Sequence, residues 1–164
     1  MKNREAIRSR SRLRDAFVAL IAAALGFGTI MAANPGVAEA HIAEEGCTPG
    51  YWKQDQHFDS WVGYTPEQTL ESVFDIPDAL GMDDDTLLDA LQGGGGSGVD
   101  GAAEILLRAG VAALLNASNP DVIGVLPQEV IDDVNAALAS NNRGTMLALA
   151  GQLDDDNNLG CPLN

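Results

Sequence analysis

The chain has 164 residues, with 24 Asp and Glu against 9 Lys and Arg, and a formal charge of −15. So large a carboxylate excess excludes nucleic acid and anionic membrane surfaces as partners, because both are gripped through Lys and Arg set against phosphate. Two cysteines, with no third or fourth soft ligand beside them, also argue against a Cys-based metal site.

The first forty residues read as an export signal. Lys2, Arg4, Arg8, Arg10, Arg12 and Arg14 form a basic head, and Ala16 to Ala33, AFVALIAAALGFGTIMAA, runs without a charge. Asn34, Pro35 and Gly36 break any helix, and Ala38-Glu39-Ala40 supplies the small-x-small pattern at which signal peptidase cuts. The apolar run is just long enough to span a bilayer as an uncut anchor. Gly26 and Gly28 within it, and the Ala-x-Ala site after it, favour removal. No Arg-Arg pair is present, which points to general secretion over twin-arginine export.

Cleavage after Ala40 leaves residues 41–164 as a single secreted domain with no membrane attachment. Lys53, Arg108 and Arg143 are then the only cationic side chains besides histidine, against 21 carboxylates, a formal charge of −18. The plain reading of that acidity is a solvated exterior. Calcium held by the runs Asp83-Asp84-Asp85 and Asp154-Asp155-Asp156 is a second reading, and attraction to a basic partner a third.

Cleavage there would also make His41 the first residue. A terminal His chelates copper through its amine and ring, and His57, the only other histidine, would complete the site.

Next comes Cys47 to Trp61, CTPGYWKQDQHFDSW, which opens a stretch holding every aromatic residue after the signal: Tyr51, Trp52, Phe58, Trp61, Tyr64 and Phe74. The structural reading is that these rings close the end of an aliphatic bundle, since Trp and Tyr bury much area while keeping a polar handle. The functional reading makes Tyr51, Trp52, His57 and Trp61 a binding face, a stacking platform for a glycan or an apolar polymer. On a helix His57 and Trp61, four apart, would share that face. Asp55 and Asp59 are a nearby carboxylate pair, but among so many acidic residues such a pair arises by chance, and glycoside hydrolysis is defined by separation in space.

The pattern then turns helical. Thr65-Pro66-Glu67-Gln68 reads as an N-cap, a proline at N1 and a capping-box Gln, opening a helix through Leu70, Val73 and Phe74. Asp84 or Asp85 would cap a short segment bearing Leu87, Leu88 and Leu91. Gly93 to Gly98, GGGGSG, reads as a flexible connection; it matches G-x-G-x-x-G, but no strand precedes it and no cation stands near in sequence, so phosphate binding is not expected.

Gly101 to Asn116, GAAEILLRAGVAALLN, is apolar nearly all round and belongs in the middle of the fold. Pro127 starts a further helix at N1 with Val130, Ile131, Val134 and Leu138 on its face. Thr145 to Leu153 forms the last. The following DDDNNLG, Asp154 to Gly160, lacks the register of a calcium loop. It reads as a helix end, with Asn157 or Asn158 and Gly160 permitting the left-handed turn that aims Cys161 towards Cys47. In an oxidising compartment Cys47 and Cys161 most simply pair with each other.

The two end segments, GCTPGYWKQDQHFDSW and LDDDNNLGCPLN, resemble the hallmark segments of a secreted domain found in bacterial and archaeal surface proteins, with a C-x-x-G-Y-W-K opening followed by His and Trp. The resemblance covers Gly46 to Asn164. It implies export and a cysteine-paired ending, and no catalysis. In that pattern an Asn-His pair follows the Lys more closely, whereas Gln54-Asp55-Gln56 intervenes here before His57.

The expected fold is all-α: four to five helices around a central apolar one, an irregular aromatic segment at the start, and one disulfide joining the ends. The expected function is a non-catalytic extracellular or cell-surface interaction module without a cofactor, meeting an extracellular protein or a glycan. The alternative is a metal-binding protein, with copper on His41 and His57 or calcium on the acidic loops.

Overall fold

A computed structural model describes residues 43–82 and 84–163; residues 1–40, where an export signal is expected, His41 and Asp83 lie outside the described residues. The fold is all-α, a bundle around one central helix with the Cys47–Cys161 disulfide joining its two ends.

Helix α1, Pro49–Trp52, is a single turn. Pro49 fixes φ at its first position, and Thr48 caps it by accepting the Tyr51 N–H on Oγ1 at 3.3 Å. A 3-10 helix follows over Asp55–Ser60. Helix α2, Leu87–Gln92, lays Leu87, Ala90 and Leu91 into the core. Helix α3, Gly98–Ser118, is the centre: Arg108 is its only exposed side chain between Gly101 and Asn116, and α1 and α2 pack on it. Helix α4, Pro127–Ala139, buries Val130, Val134, Ala137 and Leu138 against α3. Helix α5, Arg143–Asn157, buries Met146, Ala150, Leu153 and Asn157 and packs on both α3 and α4.

Small side chains let these helices approach closely. Ala109, Gly110, Ala112 and Ala113 put α3 backbone near its neighbours, and a Cβ on Gly110 would stand 2.9 Å from Val134 Cγ2. The apolar run centred on α3 and the proline start of α4 therefore stand as the sequence implied, and α5 extends past the expected segment at both ends.

Three expectations need correction. The helix expected from Thr65 is only a 3-10 turn at Leu70–Ser72. Its backbone is claimed elsewhere: Thr69 and Thr86 form an antiparallel bridge, with Leu70 N donating to Asp85 O and Leu87 N to Gln68 O, both at 2.8 Å. Helix α2 is capped by Thr86 rather than Asp84 or Asp85; Thr86 Oγ1 accepts the Asp89 N–H at 3.1 Å, and Asp89 Oδ2 accepts the Thr86 N–H at 3.0 Å.

The third concerns Gly93 to Gly98, which is a fitted loop. Gly95 has φ +79°, its N–H donates to Glu104 Oε2 at 2.9 Å, and Arg143 Nη1 binds the carbonyls of Gly96 and Gly98. A Cβ on Gly101 would lie 2.2 Å from Gly96 C, so the loop backbone rests directly on the first turn of α3. Two of its carbonyls, those of Gly96 and Gly98, face the Arg143 guanidinium.

Candidate functional site

The aromatic segment is assembled on the disulfide. Cys47 is fully buried and bonded to Cys161, with their Cα atoms 4.4 Å apart across a sequence separation of 114. Beside the bond Gly46 and Gly160 form an antiparallel bridge, Gly46 N donating to Gly160 O at 3.0 Å. Gly160 reaches this geometry with φ +122°. Asn158 has φ −101°, so the left-handed position expected there falls on Gly160 alone. Gly46 must be glycine for a different reason: a Cβ would meet the Asp156 carbonyl oxygen at 2.2 Å.

Asn116 holds this corner from inside. Its Oδ1 accepts the Cys47 N–H at 2.9 Å and the Trp52 indole N–H at 3.0 Å. Its Nδ2 donates to Cys47 O at 3.0 Å and to Asn157 Oδ1 at 2.8 Å, and Asn157 Nδ2 donates onward to Ala109 O at 3.0 Å. Both Asn side chains are buried, and no buried side-chain polar atom among the described residues lacks a partner. This network was missed from sequence. The signal was present: Asn157 continues the 4-3-4 spacing of Met146, Ala150 and Leu153 along the buried stripe of α5.

The rings surround this hub. Trp52 is 0% exposed, Tyr51 7% and Trp61 8%, so these three pack into the core and form no exposed stacking platform. Trp61 Nε1 donates to Trp52 O at 3.2 Å, and the Trp61 ring meets Phe58 edge-on at 5.9 Å. His57 is half-buried and stacks on Tyr51, ring centres 3.8 Å apart, while Tyr51 Oη donates to Leu163 O at 3.4 Å. His57 and Trp61 do not share a helical face. The segment is 3-10 up to Ser60, and Trp61 is already extended with ψ 124°, which turns its ring inwards to Trp52. Asp55 and Asp59 are exposed on the 3-10 helix.

The copper expectation involves His41, outside the described residues, so its pairing with His57 has no geometry here. Among the described residues no group of three His, Cys, Asp or Glu side chains is placed to hold a metal ion. Of the acidic runs, Asp84, Asp85, Asp154 and Asp155 are exposed.

Concavities on the surface of the described residues include a recess, a cleft and a groove. A recess of about 30 Å³ lies between Ala43, α3, α4 and α5, mostly apolar, with Glu45, Asp133 and Asp156 at its rim. A cleft of about 250 Å³ has Leu70, Met82 and Leu107 in its floor and Asp85, Asp89, Asp100 and Glu104 around it. There the Thr86 hydroxyl, then the Thr86 N–H, lower the Asp89 carboxyl below its ordinary value, with slight desolvation opposing. A groove of about 310 Å³ runs between α3 and α5 with Arg108 and Asp154 on its sides.

No family model, curated protein or solved structure matches the chain. No helix among the described residues is long and apolar enough to cross a membrane.

Proposed function

We propose that this chain is a secreted, non-catalytic module of the cell exterior, cut after Ala40, that works by binding an extracellular protein or a glycan. The observation that carries the reading is the Cys47–Cys161 bond, which ties the leading segment to the trailing one. Such bonds persist in oxidising compartments and are rare where thiols are kept reduced. The basic, apolar and Ala-x-Ala pattern of residues 1–40 and the resemblance to secreted surface-protein domains support the same reading.

With Tyr51, Trp52 and Trp61 in the core, binding falls to the outer acidic faces. These favour neutral glycans and basic protein surfaces over anionic ones. The metal reading, copper on His41 and His57 or calcium on the acidic loops, has no specific observation behind it. A titration with either ion that raises the melting midpoint would reinstate it.

Fractionating the producing cells tests the proposal. Mass spectrometry should find the chain outside the cytoplasm, without residues 1–40 and with Cys47 joined to Cys161. Cross-linking on intact cells should then attach it to a surface protein or glycan. An uncut cytoplasmic chain with both thiols reduced sinks the reading.

A further inference from the structure

We propose that Asn116 is an acceptor for N-linked glycan only while the chain is unfolded, and that folding closes the site, so that sugar and native structure exclude each other. This rests on the export reading above, because N-linked glycans are added to secreted chains.

Asn116-Ala117-Ser118 is the only Asn-x-Ser/Thr triplet in the sequence with no proline between its ends. Such a triplet in a secreted protein ordinarily lies on a surface loop, since the glycan is bulky and stays in water. Here the triplet is the end of α3, and Asn116 is 7% exposed.

Both functional ends of the triplet are used by the fold. The reacting atom is Asn116 Nδ2, which carries two protons. It donates to Cys47 O at 3.0 Å and to Asn157 Oδ1 at 2.8 Å, so both are engaged. The Ser118 hydroxyl, which makes the triplet an acceptor, donates to Leu114 O at 2.7 Å within the helix. An enzyme meeting the native domain finds neither group available.

The transfer is incompatible with that network. Nδ2 bonds to the anomeric carbon of an oligosaccharide, and the bond from that carbon to the phosphate of a lipid-linked donor breaks. The lipid phosphate leaves with the electron pair, and one amide proton passes to solvent. Either the bond to Cys47 or the bond to Asn157 is then lost, and a sugar ring must stand where those partners stand. Closure also comes late in the life of the chain. Asn157 follows Asn116 by 41 residues, so the nitrogen stays open until α5 has emerged and docked. Folding and glycosylation compete for one atom, and a glycan there marks a chain that lost the race.

Purified oligosaccharyltransferase with its lipid-linked donor tests this on purified protein, independently of where the cell keeps the chain, so failure leaves the export reading standing. One sample is oxidised and native. The other is the same chain reduced and held unfolded in urea, with a short Asn-x-Ser peptide in the same buffer to monitor the enzyme. Mass spectrometry should find the glycan on Asn116 of the unfolded chain at a rate at least about a hundredfold above the native sample, because a group exposed only on unfolding reacts in proportion to the open population. Equal rates overturn the closure, and an unmodified unfolded chain beside a modified peptide overturns the acceptor. Freed of urea and oxidised, the glycosylated chain should show no cooperative melt, whereas unglycosylated chain treated alike should regain one. A glycosylated chain that melts at the native midpoint overturns the exclusion. Ser118→Ala should fold and take no glycan in either state, and a glycan on its Asn116 overturns the role of the triplet.

Discussion

Asn116 and Asn157 meet side chain to side chain at 2.8 Å inside the α3–α5 interface, and through them the disulfide corner is bonded to the middle of α3. Asn116 makes four hydrogen bonds, two accepted on Oδ1 and two donated by Nδ2, which fills its amide's ordinary capacity. A buried polar network with every member satisfied fixes one arrangement and penalises the others. Here it holds the Cys47 backbone through both its N–H and its carbonyl.

Replacing Asn116 with Leu should therefore cost about 3 kcal/mol or more. It strands the buried Cys47 N–H and Trp52 indole N–H, each worth about 1–3 kcal/mol when left unpaired. Asn157→Leu should cost less, about 1–3 kcal/mol, because it leaves a single buried donor, one N–H of the Asn116 amide, without its acceptor. Urea unfolding of the oxidised protein checks both. The double variant should fall short of the sum, as expected for residues in one network.

Glycine substitutions should split by position. Gly151 is exposed within α5 with nothing within 4 Å of a Cβ, so Gly151→Ala should stabilise by roughly 0.5–1 kcal/mol through helix propensity. Gly101 is also helical, but its Cβ would meet Gly96 backbone at 2.2 Å, so Gly101→Ala should destabilise despite the same propensity gain. Thermal melting of the two variants gives shifts of opposite sign.

The contrast between these glycines shows which parts of the fold were legible in sequence. Apolar periodicity and the Pro127 start announced α3, α4 and α5, because burial of leucine and valine is a local pattern. The run from Thr65 carried good helix-start chemistry and failed, because its backbone pairs with Thr86, a partner that no local rule names. The tetraglycine loop looked unconstrained for the same reason: Arg143 and Glu104 arrive from elsewhere in the chain. Asn116 stood at the end of the recognised apolar run and read as its boundary, although its bonds to Cys47, Trp52 and Asn157 make it a core residue. The rings after Cys47 were legible as a group. Only the burial of Tyr51, Trp52 and Trp61 decides between core and platform.

Cutting the disulfide should cost several kcal/mol. The bond closes a loop with a sequence separation of 114, for which chain entropy gives about 4.7 kcal/mol. Cys47→Ser/Cys161→Ser should unfold at clearly lower urea than the oxidised protein. Because Asn116 still holds the Cys47 backbone, the variant should keep its helical circular dichroism at low temperature.

The Thr86–Asp89 capping box should contribute a small acid-sensitive term. The Asp89 carboxyl is lowered in the folded protein, so its stabilisation is fully present above the unfolded carboxylate value of about 3.9 and is lost as pH falls through the lower native value. Thr86→Ala should cost about 1 kcal/mol at pH 7 and progressively less as that window is crossed. Paired melts at pH 7 and pH 3 read the difference.

The Gly46–Gly160 bridge and the sulfur link beside it put the two ends of the folded unit shoulder to shoulder. Tension applied to the polypeptide on either side would pass across that covalent stitch and leave the five helices unloaded. Placed in a surface polymer or on a tethered stalk, the domain would behave as a bead hanging from the line, adding bulk and charge at one point while contributing almost nothing to reach.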